Sequence, residues 1–68
     1  MVLKNRVKEL RAKHSYTQHD LADAVEVTRQ TIVSLEKGSY IPSLLLAMKI
    51  ASTFKLSIEE IFFLEEEK

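Results

Sequence analysis

TQHDLADAVEVTRQTIVSLEKG, residues 17–38, divides into two short helical stretches around a break. Thr17 stands where an N-cap belongs, and Asp20 three residues on has capping-box spacing, with Asp in the Glu position. Leu21, Ala22, Ala24 and Val25 give the first stretch an apolar face. Glu26-Val27 interrupts it, and Thr28 caps a second stretch whose apolar positions, Ile32 and Leu35, recur at i and i+3. Gly38 is the stop signal, because glycine enters the left-handed region without a Cβ penalty, and Lys37 sits favourably at the carbonyl end.

Two short helices joined by a tight break are the helix-turn-helix pattern. Ala22 is small where the two helices cross, and Val27, Ile32 and Leu35 plug the second helix onto Leu21 and Val25 of the first. Thr28, Arg29, Gln30 and, one turn further, Ser34 then have little to do in a core. Their chemistry suits a DNA major groove. Arginine offers two donors to guanine O6 and N7, and glutamine a donor–acceptor pair to adenine N6 and N7. Serine and threonine hydroxyls bond bases or phosphates, and a threonine methyl can touch that of thymine. These four are the expected base contacts. Thr17, Gln18 with its amide turned to the backbone, Thr31, Lys37 and Ser39 are the expected phosphate contacts.

Outward from this stretch, helical periodicity runs through most of the chain. Leu3, Val7 and Leu10 mark an amphipathic first helix over residues 3–14. Pro42 and Ser43 open a fourth, LLLAMKIASTF, with Leu44, Leu45, Ala47, Met48, Ala51 and Phe54 expected to make it the most buried element. Ser57-x-x-Glu60 is a capping box that starts a fifth. The ends differ: residues 1–3 and 62–66 are rich in β-preferring types and can pair as a small antiparallel sheet. Four large apolar residues in succession, Ile61, Phe62, Phe63 and Leu64, cannot all face inward from one short element, so this strip is the expected dimer interface. The end, Glu65-Glu66-Glu67-Lys68, reads as a frayed, solvated tail.

With 68 residues there is room for one domain, residues 1–68, around one small core. Cysteine is absent, so disulfides and thiolate metal sites are excluded, and oligomerisation is the favoured source of added stability. His14 and His19 do not share a helix face and suggest no zinc site. No apolar run can span a bilayer and the N-terminus lacks a signal-peptide core, so a cytoplasmic protein is expected. Net charge is zero but unevenly spread. Residues 1–37 carry seven basic against five acidic side chains, and residues 38–68 three against five. No nucleophile–base pair, carboxylate pair or glycine-rich loop points to an enzyme. No cofactor, metal or small-molecule ligand is expected.

The stretch LRAKHSYTQHDLADAVEVTRQTIVSLEKGSYIPSLLLAMKIASTF, residues 10–54, resembles the Cro/phage-repressor (XRE) helix-turn-helix regulators. Gln18, Leu21-Ala22, Ile32, Leu35-Glu36-Lys37-Gly38 and Pro42 carry the likeness. Together they are specific, although each alone would be weak. The resemblance implies an all-α, five-helix, lambda-repressor-like bundle, with a terminal antiparallel sheet as in some small dimeric members. It also implies an Arg11–Glu36 ion pair between helices 1 and 3. One departure is Glu26, where the inter-helix turn usually has glycine. The expected function is a sequence-specific, double-stranded DNA-binding transcriptional regulator, a repressor acting as a homodimer on a palindromic operator. The alternative is a protein-interaction module such as an antitoxin or accessory subunit. A restriction–modification controller would differ only in its target gene.

Overall fold

The computed structural model describes residues 1–66; residues 67 and 68, the last two of the expected solvated tail, lie outside the described residues. Seven elements follow in order: β1 Val2–Asn5, α1 Val7–Lys13, α2 Gln18–Ala24, α3 Arg29–Lys37, α4 Leu44–Phe54, α5 Ile58–Ile61 and β2 Phe62–Glu65. Five helices surround the core, and the two strands close an antiparallel pair in which Leu3 faces Leu64 and Asn5 faces Phe62.

The helices start where short side chains satisfy the free N–H groups of a first turn. Thr17 Oγ1 accepts from the Asp20 amide at 3.0 Å while the Thr17 amide donates to Asp20 Oδ2 at 2.9 Å. Ser57 and Glu60 repeat this reciprocal box at α5, and Thr28 and Ser43 cap α3 and α4 from the side chain alone. Gly38 ends α3 at a φ of 81°, and Lys55 ends α4 in the same left-handed region at 57°. Glu26 turns between α2 and α3 at a φ of 61°, a left-handed conformation that is strained for a residue with a Cβ.

Two expectations fail for physical reasons. The first helix begins at Val7, not Leu3, because residues 2–5 pair with β2. Asn5 fixes the junction: its Oδ1 accepts from the Val7 amide at 3.0 Å and its Nδ2 donates to the Leu35 carbonyl at 3.0 Å. The Arg6 amide donates to the Ile61 carbonyl at 2.9 Å, which ties the start of α1 to α5. The second failure is in α4. Leu46, Ala47, Ile50, Ala51 and Phe54 are its buried residues, more than any other element supplies, whereas Leu44, Leu45 and Met48 are exposed. The helix is apolar on nearly every side, so its composition cannot show which stripe meets the core.

The core unites Val7 and Leu10 of α1, Leu21 and Ala22 of α2, Ile32 and Leu35 of α3, the α4 stripe, and Ile61 and Phe62 at the α5–β2 junction. Val25 closes it at the inter-helix turn. Burial of α3 along this one side holds its outer side at a fixed angle to the rest of the bundle.

Candidate nucleic-acid interface

Ile32 and Leu35 are fully buried, which turns the opposite side of α3 to solvent. At 3.6 residues per turn, Arg29, Gln30, Val33, Ser34 and Lys37 share that side. Arg29, Gln30 and Lys37 are exposed, and Val33 and Ser34 half-buried. Gln30 Nε2 donates to Ser34 Oγ at 3.4 Å, a bond one turn apart along this face. Thr28 and Thr31 stand at its start with hydroxyls 3.0 Å apart, and the Thr31 amide donates to Thr28 Oγ1 at 3.3 Å. The Thr28 oxygen thus caps the helix, and the Thr31 hydroxyl bonds to it. Val33 was missed by sequence reasoning. Its signal is an apolar residue at i+4 from Arg29 on the side away from Ile32 and Leu35.

Behind this face a polar relay crosses three helices. Arg11 Nε donates to Glu36 Oε2 at 2.8 Å, and a second guanidinium nitrogen reaches Glu36 Oε1 at 3.3 Å. The third donates to the Tyr16 carbonyl at 2.9 Å. The pair is largely buried, with side chains 16% and 5% exposed. The bond to Glu36 raises the Arg11 guanidinium above its usual range against the effect of burial, so it stays charged. Desolvation offsets much of the attraction in such a pair, and its chief effect is to fix the angle between α1 and α3. Gln18 Nε2 donates to the same Glu36 Oε1 at 3.2 Å, and Gln18 Oε1 accepts from Arg29 Nη2 at 3.1 Å.

The relay changes the expected geometry at Gln18. Its amide faces Glu36 and Arg29 rather than solvent, which leaves one N–H hydrogen for an outside oxygen. Arg29 is drawn toward Gln18 and keeps its other guanidinium donors. Ser39 donates from Oγ to the Ser34 carbonyl at 3.2 Å and extends the end of α3. Lys37 is exposed beside it and forms no ion pair among the described residues. Thr17 is exposed at the start of α2, next to Gln18. The expected interface residues thus lie along α3, at its two ends and at the start of α2. The expected dimer strip is divided: Ile61 and Phe62 are core residues, because the α5–β2 junction packs onto the bundle. Phe63 and Leu64 remain exposed.

A helix-turn-helix family model matches residues 7–61. The chain is 55% identical over 65 residues to YgzD of Bacillus subtilis, an uncharacterized HTH-type transcriptional regulator, covering 96% of this chain and 98% of that one. It belongs to the helix-turn-helix regulator family. It is of the Cro/C1 (XRE) type that the sequence pattern indicates. A second member, from Methanocaldococcus jannaschii, is 52% identical over 66 residues, covering 97% of this chain and 100% of the relative. Among solved structures, this helix-turn-helix protein resembles the restriction-modification controller protein C.AhdI of Aeromonas hydrophila. The TM-score is 0.75 at 27% identity, covering 81% of this chain and 83% of that one. A Bacteroides fragilis protein shares the fold with a TM-score of 0.81 at 22% identity, covering 91% of this chain and all of the other. Among the described residues, no group of three or more His, Cys, Asp or Glu side chains could hold a metal ion, and no helix is long and apolar enough to cross a membrane.

Proposed function

We propose that this protein is a sequence-specific transcriptional repressor that binds a palindromic operator as a homodimer, with α3 in the major groove. The observation that carries the reading is the outer face of α3. Arg29, Gln30 and Ser34 project from a helix locked from behind by Ile32, Leu35 and the Arg11–Glu36 pair. Arg29 and Gln30 supply base recognition, with Thr28 and Ser34 beside them. Thr17, Gln18, Thr31, Lys37 and Ser39 meet phosphates and set the register. Operator occupancy would exclude polymerase without any cofactor or small-molecule ligand, and the protein would act in the cytoplasm, where its DNA lies. The zero net charge is no obstacle, since specificity rests on these few groups. The likeness to C.AhdI favours one particular version, control of a restriction–modification gene set.

The test is selection of bound duplexes from a randomised library, followed by fluorescence anisotropy at two salt concentrations. The reading expects an enriched palindrome with half-site centres about 10 bp apart, or a multiple of that. It also expects a preference over scrambled duplex of about 10³ or more and a steep loss of affinity with salt. Failure of any sequence to enrich would sink it and favour a protein-interaction role.

A further inference from the structure

The terminal sheet leaves the outer edge of β1 open. The Arg6 amide bonds to the Ile61 carbonyl, and bonded positions alternate along an antiparallel pair. Lys4 and Val2 are therefore the residues bonded to β2, opposite Phe63 and Glu65. Leu3 and Asn5 turn their N–H and C=O groups the other way. Among the described residues no partner meets these four groups, and the further bonds of Asn5 are made by its side chain. The open edge faces a groove of about 210 Å³ between β1 and the last turn of α3, where Glu36, Lys37 and Gly38 form the far wall. Lys4 and Lys37 line it, both exposed and without an ion pair among the described residues. Glu36, the carboxylate in the lining, is committed to Arg11 and Gln18.

We propose that the open edge of β1 receives an extended, acidic segment of a partner protein as a third strand, with Lys4 and Lys37 holding its carboxylates. An incoming strand supplies the alternating donors and acceptors that Leu3 and Asn5 lack, which is how sheet edges take up peptides. Charge selects an acidic segment, because both unpaired charges at the groove are positive. The far edge of the sheet belongs to β2, which runs into Glu65 and Glu66 and would repel such a segment. DNA is the rival anion. A phosphate oxygen only accepts, so against a DNA backbone the Leu3 and Asn5 carbonyls would face negative oxygens. A peptide satisfies both kinds of group.

Lys37 links this edge to the operator. It stands among the phosphate contacts proposed above, at the end of α3. A segment whose carboxylate takes Lys37 removes that contact and sets negative charge beside the DNA backbone, so its docking lowers DNA affinity. That consequence rests on the regulator reading, whereas the docking surface does not.

The test follows amide resonances of the isotope-labelled full chain as an acetylated, amidated peptide of alternating valine and glutamate is added. Shifts are expected at Leu3, Lys4, Asn5, Lys37 and Gly38. The counterpart with lysine in place of glutamate is expected to bind about 10-fold more weakly. The acidic peptide N-methylated at alternate residues, which cannot form the ladder, is expected not to bind. Lys4→Glu is expected to weaken the acidic peptide by about fivefold, with circular dichroism to verify folding; if it does not fold, Lys4→Gln takes its place. No shift at Leu3 to Asn5 at millimolar peptide, equal binding of both charges, or undiminished binding of the N-methylated form would each overturn the proposal. So would shifts centred on Phe63 and Leu64, or larger assemblies of the chain alone that occupy the edge of β1. Shifts at Leu3 to Asn5 on adding duplex but not peptide would overturn it in favour of phosphate. Saturating acidic peptide is expected to weaken binding of the selected duplex, and an unchanged affinity would overturn the competition at Lys37. A peptide seated on β1 of a protein that selects no duplex supports this surface and removes the operator reading.

Discussion

At Glu26 the backbone holds a φ of 61°, a region that costs an L-residue about 1–2 kcal/mol and glycine far less. The side chain offsets part of this by pairing with Lys49 at 3.0 Å, but that pair is exposed and contributes only about 0–1 kcal/mol. Glu26→Gly is therefore expected to raise stability by about 0.5–1 kcal/mol in urea unfolding. A loss of stability instead would mean that the Lys49 contact outweighs the backbone strain. At Arg29 the relevant quantity is specificity. Arg29→Ala is expected to lose about 1–3 kcal/mol at one base position of the selected duplex and relax discrimination there. Equal losses on operator and scrambled duplex would reassign Arg29 to the phosphates. The fold should survive, because Arg29 is exposed and its bond to Gln18 lies outside the core.

Among the elements, α2 and α5 are too short to persist alone and depend on their starts. In both, the box carboxylate accepts a backbone bond in its charged form. The Thr17 amide holds Asp20 below its ordinary 3.8, and the Ser57 amide holds Glu60 below its ordinary 4.5. Depressed carboxylates stabilise fully above the unfolded-state value, and that contribution disappears as pH falls through the folded one. The difference in Tm between wild type and Asp20→Ala is therefore expected to be present at neutral pH and to narrow as pH drops through 3.8 and below. A gap that stays constant into acid would show that the charge of Asp20 is immaterial to the cap. These boxes were legible in the sequence because their bonds join residues three apart. The terminal sheet was legible too, but not its reach to Asn5, since the periodicity from Leu3 onward suits α1 equally well and only pairing with residues 62–65 decides against helix.

For the whole molecule, the junction of α5 and β2 closes the fold. Ile61 is completely buried, and its carbonyl accepts from the Arg6 amide, so the two ends of the chain meet there. Ile61→Ala should cost about 2–5 kcal/mol in urea unfolding, the range for emptying a buried aliphatic site. A domain of this size has only about 3–10 kcal/mol in total, so the variant should be poorly folded. A stable, merely monomeric Ile61→Ala protein would return this residue to a subunit interface.

Local rules in the sequence determined the caps of α2 to α5, the break at Glu26-Val27, the stop at Gly38 and hence the outward residues of α3. Each depends on bonds or sterics within one turn of chain. Tertiary structure alone decided which stripe of α4 is buried, because a helix apolar all round fits a core from several directions. It alone sent Ile61 and Phe62 inward and left Leu44, Leu45 and Met48 outside. It also turned the Gln18 amide toward Glu36 and Arg29, bonds that span 18 and 11 residues and exist only once three helices have packed.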